Sequence, residues 1–133
     1  MSEDKNKVNI YVYTYFDVPD ENQQYDNVFV ISGRICKLEP MRILENDKNN
    51  IHFILANNII TNGVKLNSYL PCIAWGKCAK QISKLKKNDN IIITGELRSR
   101  EYKKPLEDNQ FEIRVAHELL VTDFKVLNDE TEL

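Results

Sequence analysis

Along most of the chain apolar and polar residues alternate in short runs, the two-residue period of half-buried β-strands. Residues 8–16, "VNIYVYTYF", are β-branched and aromatic, and polar "DVPDENQQ" closes the run. Residues 27–38, "NVFVISGRICKL", are a second strand; Gly33 inside it predicts a bulge or sharp bend, as where a barrel strand turns a corner. "ENDKNN" at 45–50 is a loop. Residues 51–60 are a third strand, ended by "TNG" at 61–63, and residues 65–75 are a fourth. The period then changes. Over 77–87 the apolar residues Cys78, Ile82 and Leu85 are spaced four and three, one face of a helix whose remaining surface carries lysines. "NDN" at 88–90 stops it. Residues 91–102 are a fifth strand containing Gly95, "KKPLEDN" is a loop, and residues 111–126 are a last long strand.

Setting the N-terminal run aside, the order is three strands, a helix, then two strands. That is the order of the OB-fold, an all-β, five-stranded Greek-key barrel with one helix between its third and fourth strands. The expected organisation is an N-terminal extension with an extra strand (1–26), the barrel (27–127) and a short acidic tail (128–133).

Composition narrows the classes. A chain of 133 residues, 42% hydrophobic and 29% charged, suits one soluble domain. No apolar run approaches the roughly 20 residues that span a bilayer. The polar start "MSEDKNKVNI" reads as neither signal nor transit peptide, so a cytoplasmic location and no membrane are expected. Charge is unevenly placed. Residues 1–26 hold two lysines and six acids, residues 128–133 hold three acids and no base, and residues 27–127 hold sixteen Lys or Arg against eleven acids. A basic body with acidic ends suits a polyanionic partner. Cys36, Cys72 and Cys78 form no C-x-x-C pair and His52 and His117 stand at no ligand spacing, so free thiols, no metal and no cofactor are expected. The chain has no G-x-S-x-G, no glycine-rich phosphate loop and no H-E-x-x-H, and its acids are scattered, so no catalytic residue is expected.

Strand parity is more informative. In residues 91–102, Ile91, Ile93 and Leu97 share one face while Arg98, Arg100 and Tyr102 share the other. In residues 65–75, Leu70, Cys72 and Ala74 face one way, and Tyr69, Pro71, Ile73 and Trp75 the other. If these strands are neighbours, aromatic rings and arginines lie together on the side away from the core. Single-stranded nucleic acid requires that combination, since rings stack on bases and cations follow phosphates. The same parity also fits Trp75 and Tyr69 filling a small second core under the helix, or an oligomer interface. Pro71 argues against a central strand, because proline lacks the ladder donor.

Three stretches, "NVFVISGRI", "CIAWGKCAKQI" and "IIITGELRSREY", in that order and spacing, resemble the bacterial single-stranded DNA-binding proteins over about residues 27–127. The resemblance implies that Trp75, the aromatic before Gly-Lys, stacks on a base, and that Tyr69 and Tyr102 stand at further stacking positions. It implies basic contacts from Arg98, Arg100 and Lys77, and from Arg42 in "EPMR", one residue shorter than the family's Asp-Pro-x-x-Arg stretch. Lys86 and Lys87 match a basic helix end, and Lys103 and Lys104 follow Tyr102. It also implies a non-enzymatic homo-oligomer, tetramer or dimer, that protects single-stranded DNA in replication, recombination or repair. Stacking does not distinguish the sugar, so single-stranded RNA stays open.

The chain departs from that family in three ways. Ile60-Thr61 stand where a third aromatic is common, which implies weaker or shorter-site binding. "NDETEL" replaces the long linker and phenylalanine-ended tip, which puts recruitment of replication or repair proteins in doubt. Residues 1–26 are extra; they could add a strand to a barrel edge, pair between subunits, or lay the acidic stretch 17–26 over the basic groove. The alternatives are a primosome-type OB-fold accessory that bridges proteins at forks, and an interaction module whose basic face meets an acidic protein.

Overall fold

The computed structural model describes residues 26–127. The expected strand at 8–16, all but the last residue of the acidic stretch 17–26, and the tail 128–133 lie outside them.

Within 26–127 the chain forms β1 (Phe29–Leu38), β2 (Asn50–Thr61), β3 (Val64–Trp75), α1 (Gly76–Ile82), β4 (Asn90–Pro105) and β5 (Phe111–Val126). The strands close into a barrel in the order β1-β2-β3-β5-β4. The β2–β3 and β4–β5 ladders stay paired out to their turns, so two hairpins project from the barrel. The five-strand closed barrel with its helix between the third and fourth strands is the OB-fold that the element order predicts.

Alternation fills the barrel. Ile51, Phe53 and Leu55 of β2, Cys72 and Ala74 of β3, Ile91 and Ile93 of β4, and Leu119 and Val121 of β5 all point inward and are buried. Each fully buried side chain of this size contributes roughly 1.5–3 kcal/mol. Helix α1 lies against β2, β3 and β5 and inserts Ala79 and Ile82 into the same core.

Local sequence explains the corners. Asn62 and Gly63 join β2 to β3 with φ of 52° and 78°, the two left-handed residues that a tight hairpin of this twist needs. Gly33 marks the point where β1 changes partner: Phe29–Arg34 pair with β4, and from Arg34 onward β1 pairs with β2. A Cβ at Gly33 would collide with the Ala56 carbonyl, so the strands approach only because glycine has none. The irregularity in register follows two residues later, between Ile35 and Lys37.

Four details differ from the sequence pattern. The helix ends at Ile82, not Lys87. Leu85 does pack on the core, but through a turn: the Leu85 N–H donates to the Ile82 carbonyl, and Asp89 Oδ2 accepts from the Lys86 N–H at 2.8 Å. The stretch 103–105 is not loop but the end of β4, with Pro105 at the last paired position, where a missing donor matters least. Pro71 lies inside β3, but on the side away from β2 that strand is paired only at Cys72 and Ile73, with β5, so position 71 is an edge there. Finally, β3 and β4 are not neighbours, because β5 lies between them.

Candidate nucleic-acid interface

That last difference shapes the site. The outward faces of β3 and β4 do not abut; β5 stands between them, β2 flanks β3, and all four strands line one groove. Trp75 and Ile73 come from β3, Arg98 and Arg100 from β4, Glu118 and Leu120 from β5, and Asn50 and His52 from β2. This part of the groove has a volume of about 380 Å³. It continues into a second part of about 400 Å³, which Tyr102 and Pro71 line. Arg42, His52, Arg100 and Glu118 line both parts and so mark their junction.

Each aromatic is held by ordinary strand geometry. Trp75 ends β3 directly across from Asn50 of β2, and 45% of its surface is exposed. Gly76 follows with φ of +59°, which lets the chain leave the strand for the helix, and its N–H donates to the Asn49 carbonyl at 2.8 Å. Tyr69 lies three pairs of alternate positions back on the same face, across from Ala56, and is 60% exposed; it does not line the groove but extends the wall that Trp75 begins. Tyr102 is half-buried, with the Arg100 guanidinium carbon 5.9 Å from its ring centroid, within cation–π range.

The cations divide by position. Arg42 sits outside the named strands, yet its N–H donates to Asn50 O at 2.8 Å and its carbonyl accepts from Asn50 N–H at 3.0 Å, which fixes it over the groove. Arg98 is paired with Glu96, its neighbour two positions back on the same face. Arg100 Nε donates to Glu118 Oε1 at 3.1 Å. Lys77 opens α1 two residues beyond Trp75, exposed. Lys104 shares the Tyr102 face by parity, whereas Lys103 turns to the rear of the hairpin, its amine 4.6 Å from the Phe111 ring centroid. Lys86 and Lys87 are exposed in the α1–β4 turn and line neither part of the groove.

Several groove residues do not stand out in the sequence. Asn50, His52 and Glu118 line it although none belongs to a motif. Arg114, opposite Tyr102 in the β4–β5 ladder and bonded to Glu112 at 3.2 Å, adds a cation beside that ring. Parity along 111–126 could have found Arg114 and Glu118, which lie on the face opposite the buried Leu119 and Val121.

The thiols lie apart from this chemistry. All three cysteines are free, and burial pushes the Cys72 thiol far up, with Glu118 adding to the shift; burial also raises Cys78. Among the described residues no group of three His, Cys, Asp or Glu is arranged to hold a metal ion, and no helix is long and apolar enough to cross a membrane.

A closed five-strand barrel with rings and arginines along a groove across its wall is an OB-fold binding barrel. The family model of the single-strand binding proteins matches residues 26–127, and the chain belongs to the single-strand binding protein family, a non-enzymatic DNA-binding family. Comparison with curated proteins gives no match.

Proposed function

We propose that this protein binds single-stranded DNA with low sequence specificity and protects it during replication, recombination or repair. Bases stack on Trp75, Tyr102 and Tyr69, while Arg42, Arg98, Arg100, Lys77 and Lys104 contact phosphates. Stacking supplies roughly 1–3 kcal/mol per base whatever the base, and cationic contact supplies affinity that falls with salt. Lys86, Lys87 and Lys103 are met only by a strand that wraps beyond the groove. The observation that carries this reading is the half-exposed Trp75 in a groove with three arginines. A second core would have covered that ring.

Homo-oligomerisation, as a dimer or tetramer, belongs to the same reading. It is supported by the exposed apolar residues Val28 and Val30 before and in β1, and Phe111, Ile113 and Val115 on the rear of the β4–β5 hairpin. The same apolar residues favour, as a second reading, a fork accessory whose main partners are proteins.

Trp75 is the only tryptophan in the chain, so its fluorescence reports one site. Oligo-dT is expected to quench it strongly, high salt to reverse the effect, and duplex DNA to do little. Absence of both quenching and gel retardation at low salt would sink the proposal. Sedimentation equilibrium gives the oligomeric state in the same buffer, and a monomer at micromolar concentration would remove that part.

A further inference from the structure

Stacking that ignores sequence needs only rings and cations. The groove that Trp75 lines has more. Asn50, His52 and Glu118 are hydrogen-bonding side chains, and Asn50 and Glu118 are 5% and 9% exposed. A buried carboxylate is costly where it lacks hydrogen bonds, and a groove for phosphates gives no electrostatic reason to keep one. Arg100 accounts for one oxygen only: its Nε meets Oε1 at 3.1 Å, and no hydrogen bond to the second oxygen is formed among the described residues. The Asn50 Oδ1 atom is likewise without a partner among them, and Asn50 stands directly across the β2–β3 ladder from Trp75. Two largely buried polar side chains thus line the cavity in which Trp75 presents its ring.

We infer that this polar lining reads the edge of a base held in the groove that Trp75 opens, with Glu118 accepting a hydrogen bond from an exocyclic amino group. The inference rests on the single-strand binding proposed above and adds a base preference to it. A carboxylate accepts from the 4-amino group of cytosine and repels the O4 of thymine. The groove therefore favours cytosine over thymine at this one position, a composition bias laid over stacking that is otherwise indifferent. Arg100 orients Glu118 through this hydrogen bond while remaining half-exposed to a phosphate.

The test compares oligo-dC and oligo-dT of equal length by Trp75 fluorescence, in the native protein and in Glu118→Gln. The glutamine keeps the shape, loses the charge and gains an N–H that suits thymine O4. The dC:dT affinity ratio is expected to fall about tenfold in the variant, the worth of one charge-assisted hydrogen bond. A second arm needs no variant: an oligomer of 2-pyrimidinone, which is cytosine without its 4-amino group, should bind the native protein about tenfold more weakly than oligo-dC. Equal losses for dC and dT in Glu118→Gln would overturn the inference, leaving Glu118 as a holder of Arg100 and the single-strand reading intact. Indifference of the native protein to the missing amino group would overturn it too. Binding of none of the three oligomers would overturn both.

Discussion

Trp75 and Ile51 show how exposure separates two roles for large apolar side chains. Ile51 is completely buried in the barrel, whereas Trp75 shows 45% of its surface in the groove. Truncating the tryptophan should therefore act on binding and truncating the isoleucine on folding. Trp75→Ala is expected to weaken oligo-dT binding by roughly 1–3 kcal/mol, about 5- to 150-fold. Its thermal midpoint should stay within about 4 °C of the parent, the shift that less than 1 kcal/mol produces in a domain of this size. Ile51→Ala should lose about 2–5 kcal/mol of stability, read by urea denaturation. Unfolding of Trp75→Ala would identify the ring as core instead. Cys72 supplies a residue-scale pH prediction. Burial holds its thiol neutral in the folded state, while the unfolded chain ionises it near its ordinary value of 9.0. A raised folded value means that the stabilisation is fully present below pH 9.0 and is lost as pH rises above it. Stability should fall there by up to about 1.4 kcal/mol per pH unit on account of this group. Cys72→Ala should flatten that limb of a urea-midpoint against pH plot.

Among the elements, the two hairpins carry what the barrel proper does not. The β2–β3 turn rests on Asn62 and Gly63, both at positive φ, and nothing lies within 4 Å of a Cβ built at Gly63. Gly63→Ala therefore tests backbone strain alone. It should cost about 1 kcal/mol, a fall of about 4–8 °C in thermal midpoint by circular dichroism, with no change in oligo-dT affinity. The β4–β5 hairpin has two chemically different faces, with Tyr102, Lys104 and Arg114 by parity on one and Lys103, Phe111, Ile113 and Val115 on the other. The runs 91–102 and 111–126 already predict this hairpin's strands. Its reach does not follow from them, because "KKP" reads as loop by composition yet continues the ladder to the Pro105–Phe111 pair. The helix errs the other way. Its apolar spacing runs on to Leu85, and only the turn closed by Asp89 shows that Leu85 reaches the core from outside the helix.

For the whole molecule, the distribution of cations decides how affinity depends on salt and on DNA length. Each phosphate contact removed should lower the slope of log affinity against log salt by about 0.7 for a single strand. Arg42→Ala, over the centre of the groove, should show that change with short and long oligo-dT alike. Lys86→Ala/Lys87→Ala should leave the slope for oligomers of about 8 nucleotides unchanged and lower it for those of about 35, since one barrel covers roughly 4–16 nucleotides. An equal effect on short oligomers would place the groove's path over the α1–β4 turn.

By itself, the sequence determined the barrel, its helix insertion and which face of each strand turns outward, because alternation, a change of period and turn residues are local properties of the chain. It also marked Trp75, Arg98, Arg100 and Tyr102, since two-residue parity is enough to separate them from Ile91, Ile93 and Ala74. What only the tertiary structure decided is which strands stand together. Residues on β3 and β4 are brought to one groove by closure of the barrel, with β5 between them, a pairing that no local pattern encodes. Closure likewise brings Glu118, Asn50, His52 and Arg114 to the site. Each is an ordinary polar residue on a strand, and only the pairing of the strands brings it to the groove.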